Sequence, residues 1–120
     1  MTAELGKGVQ IWAAMDQEQL MGYLMFGAMR LPIEHPPGAM EIRRMYVAPT
    51  LQRSGIGNRL MQAALSTVGE DVDIYLGVWS ENHLAQRFYQ KQGFEKVGEY
   101  DYIVGPHRDH EFIMRRINNS

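Results

Sequence analysis

Hydrophobic and polar positions change their period about halfway along the chain. In the first part, Val9 to Met15 (VQIWAAM) and Leu20 to Met29 are apolar runs joined by polar Asp16-Gln17-Glu18-Gln19, a pattern that predicts a β-hairpin. About eight mostly polar residues precede it, and they predict no element. Leu31 to Gly38 carries Pro32, Pro36, Pro37 and a glycine, and must be a loop. After Pro49, apolar Ile56, Leu60, Met61, Ala64, Leu65 and Val68 recur at helical spacing, with Gly69 placed as a C-terminal cap. Val72 to Trp79 reads as a buried strand. Ser80 to Gln92 reads as a second helix, with Ser80 as N-cap and Gly93 as its left-handed stop. Phe94 to Val104 and Asp109 to Ile117 are final strands around Gly105-Pro106-His107. The expected order is β-β-β-α-β-α-β-β, an α/β fold with a mixed β-sheet and two main helices. Its central strand-helix-strand unit must be parallel with a right-handed crossover.

The strand Met40 to Val47 (MEIRRMYV) contains a parity slip. Met40 and Ile42 fall on even positions and Met45 and Val47 on odd ones, whereas side chains alternate faces along a strand. One extra residue at Arg43-Arg44, a β-bulge, puts both apolar pairs on one face. The competing reading is a strand buried on both faces.

With 120 residues the chain suits one domain, residues 1–120, large enough to bury a core without metal or disulfide. The net charge of -2, from well-mixed charges, gives no reason to expect nucleic acid or an anionic membrane as partner. Cysteine is absent, which excludes disulfides, thiolate metal sites and an acyl-cysteine intermediate. The apolar run Met21–Met29 is too short to cross a bilayer, and Met1-Thr2-Ala3-Glu4 lacks the features of a signal peptide, so a cytoplasmic location is expected. Met15, Met21, Met25, Met29 and Met61 are expected core fillers, and His35 and His83 surface or helix-start residues. His107-Arg108-Asp109-His110 lacks a nearby third partner, so no metal is expected. No Gly-x-Ser-x-Gly elbow marks a serine hydrolase.

Candidate chemistry begins at Gln52-Arg53-Ser54-Gly55-Ile56-Gly57, between a strand and a helix. Glycines let several N–H groups converge, and a helix N-terminus adds partial positive charge, so the segment suits a phosphate or diphosphate. It is neither a P-loop nor a dinucleotide fingerprint, since Leu60 stands where the third glycine would be. Taken alone, it serves equally as a tight strand-helix turn.

Two segments together resemble the GNAT superfamily of acetyl-CoA-dependent N-acetyltransferases. Met45-Tyr46-Val47-Ala48-Pro49 leads into Gln52-Arg53-Ser54-Gly55-Ile56-Gly57, similar to the family's Gln/Arg-x-x-Gly-x-Gly/Ala loop. Some twenty-five residues later, Asn82 to Phe94 (NHLAQRFYQKQGF) is similar to its Asn-x-x-Ala-x-x-x-Tyr-x-x-x-Gly-Phe helix. The resemblance covers about Met40 to Phe94. It implies a GNAT-like acyl-CoA N-acyltransferase fold and an enzyme moving an acetyl group from acetyl-CoA, as cosubstrate, to a small-molecule or peptide amine by direct transfer in a ternary complex. It further implies that amides of Gln52, Arg53, Gly55, Gly57 and Asn58 hold the diphosphate. Backbone at Met45 and Val47 would pair with the pantetheine arm and polarise the thioester carbonyl. Asn82 would bind pantetheine amides, Ala85 would admit the cofactor, and Tyr89 would protonate the departing thiolate. Asn82, Ala85 and Tyr89 share one helix face at i, i+3 and i+7; without the resemblance Tyr89 reads as a core aromatic beside Phe88. Glu41 matches the base of some members, with Glu34, Tyr46 and Tyr100 as lesser acceptor-site candidates.

One departure stands out. Family members usually place a further strand and one or two helices before the segment equivalent to Val9–Met15, and none is predicted here. An uncovered sheet edge and apolar face would favour a homodimer. The shortened front also motivates an alternative, a non-catalytic acyl-CoA-binding or interaction domain without an acceptor site. The sequence leaves the acceptor unidentified.

Overall fold

The computed structural model describes residues 2–5, 9–16, 19–49, 55–68 and 71–116. They form strands β1 (Thr2–Leu5), β2 (Val9–Asp16), β3 (Gln19–Ala28), β4 (Met40–Val47), β5 (Ile74–Trp79), β6 (Glu95–Val104) and β7 (His107–Arg116), with helices α1 (Ile56–Val68) and α2 (His83–Lys91). The sheet runs β1-β2-β3-β4-β5-β7-β6. Only β4 and β5 pair in parallel, joined through α1 as the pattern requires; the other neighbours are antiparallel.

The main correction lies at the front. Thr2–Leu5 forms an edge strand in register with Val9–Trp12 of β2, where the sequence predicts no element. A four-residue edge strand needs a partner's ladder more than an apolar run, so it leaves little trace in hydropathy. Among the described residues no helix precedes β2. Other boundaries move by a few residues: β5 begins at Ile74 rather than Val72, and β7 already at His107. The β6–β7 hairpin closes through Gly105 (φ 57) and Pro106, glycine taking the position that demands a positive φ. The proposed cap Gly69 lies outside the described residues.

The bulge is present. Met25 faces Arg44 and Phe26 faces Ile42, so Arg43 is the extra residue of β4. In consequence Met40, Ile42, Met45 and Val47 all pack against the main core with Leu24, Phe26, Leu60, Met61, Ile74, Leu76 and Phe94. Helices α1 and α2 cover this face, through Leu60, Met61, Ala64 and Leu65 and through Ala85, Phe88 and Tyr89. Met61 and Met114 are fully buried, but Met15, expected in the core, is 42% exposed near the end of β2. On the opposite face a smaller cluster joins Ala39, Tyr75 and Ile113 to Met29, Leu31 and Ile33. The proline-rich connection after β3 thus covers part of the face for which the sequence offers no helix. Among the described residues no helix is long and apolar enough to cross a membrane.

Candidate functional site

Ladder pairing between β4 and β5 stops at Ile42–Leu76, one residue before the bulge. Both strands continue beyond that point, β4 to Val47 and β5 to Trp79, without pairing to each other. On the helix side of this unpaired stretch lies a cleft of about 770 Å³. Its lining includes Met45 and Val47 of β4, Gly55, Gly57 and Asn58 at the start of α1, and Asn82, Ala85 and Tyr89 of α2. Every described residue expected to touch the cofactor therefore borders one space. Gln52 and Arg53, expected in the same role, lie outside the described residues.

Local chemistry explains the shape. Gly55 has φ 92, a backbone region that side chains resist, and its carbonyl accepts from the Arg59 N–H at 3.0 Å to open α1. A Cβ on Gly57 would stand 3.4 Å from Met45 Cε and 3.6 Å from the Phe88 ring; glycine keeps the cleft floor open. The first turn of α1 contains no acid, so its positive end stays uncompensated by its own side chains. The two helices are tied at the cleft's edge: Gln62 Nε2 donates to Gln92 Oε1, and Gln92 Nε2 donates to Asn58 Oδ1, both at 2.9 Å.

Helix α2 begins later than predicted. Asn82, not Ser80, is its N-cap, its Oδ1 accepting the Ala85 N–H at 3.1 Å. Ser80 belongs to the turn, where its carbonyl accepts from Gln86 Nε2. Asn82 thus combines a cap with a place on the cleft wall, its side-chain NH2 left as the group able to donate. Gly93 stops the helix with φ 97 as expected. Tyr89 packs edge-on between Phe88 and Phe94, at centroid distances of 5.5 and 5.8 Å, and burial pushes its phenol up to about 12.

Four further lining residues were not singled out from the sequence: Leu84, Arg87, Phe88 and Lys91. They repeat at i, i+3, i+4 and i+7, so helical spacing alone places them beside Tyr89's face. Arg87 and Lys91 give this wall positive charge. Glu41 lies elsewhere. It is buried, 8% exposed, and Oε1 accepts the Arg30 N–H at 2.9 Å; it pairs in register with Tyr75, on the face opposite the helices. Of the lesser candidates, Glu34 and Tyr46 are exposed, whereas Tyr100 packs with that second cluster. Its phenol is raised by burial first and then by the charges of Glu111 and Glu41. The bulge residue Arg43 lies over Gly27, where a Cβ would collide with the guanidinium, and its Nη2 donates to the Ala28 carbonyl at 2.9 Å. His110 sits on the exposed β6–β7 surface, hydrogen-bonded to Asp101 and Glu99 at 2.9 Å each.

The model of the Acetyltransferase (GNAT) family matches residues 3–94. The chain belongs to that family. A probable N-acetyltransferase of Mycobacterium tuberculosis is 37% identical over 91 residues, covering 76% of this chain and 49% of the relative. The spermine/spermidine N(1)-acetyltransferase of Bacillus subtilis is 28% identical over 87 residues, covering 69% of this chain and 57% of its own length. The fold is that of the ribosomal-protein-S18-alanine N-acetyltransferase from Escherichia coli, with TM-score 0.78 and 16% identity over 97% of this chain and 73% of that one. The chain spans about half to two thirds of the length of the curated relatives it matches.

Proposed function

We propose that the protein transfers the acetyl group of acetyl-CoA directly to a primary amine within a ternary complex. The observation that carries this reading is the convergence of Met45, Val47, Gly55, Gly57, Asn58, Asn82, Ala85 and Tyr89 on one cleft beside the unpaired ends of β4 and β5. The cleft suits such a cosubstrate. It is long enough to be bordered by both helices, its α1 end offers main-chain donors at a helix N-terminus, and Arg87 and Lys91 favour phosphate groups. Amides of Gln52 and Arg53 complete the diphosphate grip in this reading.

Bound acetyl-CoA supplies an activated acetyl thioester. Main chain at Met45 and Val47 lies past the last β4–β5 pair and serves as donor to the oxygen on which charge develops, an effect of roughly 3–4 kcal/mol per donor. Tyr89, held protonated well above neutral pH, donates a hydrogen bond toward the sulfur. Full transfer from a phenol near 12 to a thiolate near 8.5 is uphill by about 5 kcal/mol. Tyr89 therefore acts chiefly as a donor to the charged sulfur, while the proton that completes the thiol originates on the attacking nitrogen, which becomes acidic once acylated. Of the three similar proteins, one acts by name on a polyamine and one, similar in fold, on a protein alanine; both acceptors are amines, and a primary amine fits this reading.

Thiol release measured with spermidine and with an alanine-terminal peptide, beside calorimetry of acetyl-CoA, tests the proposal. Binding with turnover of either amine supports it; binding without turnover favours a non-catalytic acyl-CoA-binding domain. The outer edge of β1, unpaired among the described residues, suits pairing with a second copy, which sedimentation of the intact protein measures.

A further inference from the structure

The second face of the sheet, at the level where β4–β5 pairing ends, carries a polar group assembled from three strands. Gly77 of β5 comes directly after Leu76, the last residue laddered to β4. Leu76 and Val78 on either side of it point into the helix-side core, so the bare Cα of Gly77 faces the opposite side. A Cβ there would stand 3.1 Å from the Tyr100 phenol oxygen, 3.4 Å from Leu31 Cδ2 and 3.7 Å from Glu111 Oε1. The Glu111 carboxylate and Tyr100 phenol thus flank the place where that pairing ends, across the sheet from Tyr89 and the cleft. Glu41 is the other carboxylate here, but it is buried with one oxygen taken by the Arg30 N–H. Glu111 is the more accessible of the two.

We propose that Glu111, positioned over Gly77 beside Tyr100, is the catalytic base that deprotonates the acceptor ammonium on the second face of the sheet. This rests on the acetyl-transfer reading above. The ammonium N–H gives its proton to the Glu111 carboxylate, directly or through one water, and that proton passes to solvent. The freed nitrogen pair forms the N–C bond to the acetyl carbon, the C–S bond breaks with its electrons on sulfur, and the nitrogen's second proton ends on the thiol. The sum is acetyl amide, free thiol and one proton released. Glu41 and Tyr100 add, respectively, a buried carboxyl held by the Arg30 N–H and a wall, and act as positioning residues.

The groups around Glu111 support the assignment. Its carboxyl is raised above the usual range by burial and by Asp109, with His110 opposing. Tyr100 faces it from β6 and Glu41 acts on the same phenol from β4; Leu31 of the connecting loop and Trp79 opposite it on β5 carry no charge. A base with a raised pKa matches an amine better than an ordinary carboxylate does.

The test compares wild type, Glu111→Gln and Glu41→Gln as full chains, with spermidine and an alanine-terminal peptide as acceptors. Three readouts are used: kcat/KM against pH, acetyl-CoA affinity by calorimetry, and carboxyl titration by 13C NMR. Expected for Glu111→Gln is a fall in kcat/KM of about 100-fold or more at neutral pH, loss of the acid limb, disappearance of one high-titrating carboxyl signal, and acetyl-CoA affinity within threefold of wild type. Glu41→Gln keeps the acid limb. An active wild type whose rate and pH profile survive Glu111→Gln overturns this inference alone. A wild type that binds acetyl-CoA but turns over neither amine overturns the acetyl-transfer reading and this inference with it.

Discussion

The helix-side cleft and the second face lie at the same end of the β4–β5 pairing, yet they are built in different ways. The cleft is lined by residues close together in sequence, Met45, Val47, Gly55, Gly57 and Asn58 on one side and Asn82 to Lys91 of one capped helix on the other. The second face is made by single residues from distant strands: Glu41 of β4, Gly77 of β5, Tyr100 of β6 and Glu111 of β7, closed by Leu31 from a loop. In the proposed reading, local motifs suffice for a cosubstrate that never changes. A surface assembled residue by residue can vary with the acceptor while the cleft stays fixed, and function concentrates on such variable surfaces.

Deleting Arg43 breaks the comparison most completely, because both regions depend on where β4 leaves β5. Without the extra residue β4 alternates regularly, Met40, Ile42, Met45 and Val47 all stay on the core face, and the strand loses the bend that follows its last pair with β5. Apolar burial should therefore hold, with stability within about 1 kcal/mol of wild type, while acetyl-CoA binding falls roughly 100-fold as the main chain at Met45 and Val47 loses its bulged path. Calorimetry beside chemical denaturation measures both, and a deletion variant with intact acetyl-CoA binding would remove the bulge from the explanation.

Two glycine substitutions separate the regions. Gly57→Leu fills the cleft between Met45 and Phe88 and is expected to weaken acetyl-CoA binding by at least 100-fold in calorimetry. Gly77→Val pushes against Tyr100 and Leu31 on the other face; it should raise the acceptor KM about tenfold or more and leave acetyl-CoA affinity within threefold. Equal effects of both substitutions on both ligands would mean that the two regions are one site.

Tyr89→Phe sharpens the division of labour inside the cleft. The ring contacts with Phe88 and Phe94 persist, so acetyl-CoA affinity should hold while kcat drops by about 10- to 1,000-fold. The phenol's shift has its own signature. Raised from 10.0 to about 12 by burial, it leaves the folded state holding a proton that the unfolded state releases. Its stabilisation is therefore intact below pH 10 and is lost as pH climbs through 12, by up to about 2–3 kcal/mol. Tyr89→Phe should flatten that alkaline loss, and Tyr89 should contribute no limb to a rate profile below pH 10.

The contrast also explains what could be read from the sequence. Parity of Met40, Ile42, Met45 and Val47 located the bulge because hydropathy alternates locally, and the spacing of Asn82, Ala85 and Tyr89 located a helix face for the same reason. Leu84, Arg87 and Lys91 obeyed that spacing too and were within reach. Glu111 was not. Nothing near it in sequence indicates that β7 inserts beside β5 or that Gly77 leaves room before its carboxylate. Strand β1 was hidden similarly, since Thr2–Leu5 becomes a strand by pairing with β2 rather than by its own composition.

The finest distinction concerns Asn82, which serves the helix and the cleft with different atoms. Its Oδ1 caps α2 through the Ala85 N–H, and its NH2 is the candidate donor to the pantetheine arm. Serine caps about as well as asparagine but has no amide donor. Asn82→Ser should therefore keep stability within about 0.5 kcal/mol and weaken acetyl-CoA by a few-fold, whereas Asn82→Ala should lose about 1 kcal/mol as well as the same affinity. Thermal unfolding read beside calorimetry separates the two roles. If Ser restores both stability and affinity, the cleft uses Asn82 only as the residue that aims α2, and the donor to the cofactor must be sought among main-chain groups instead.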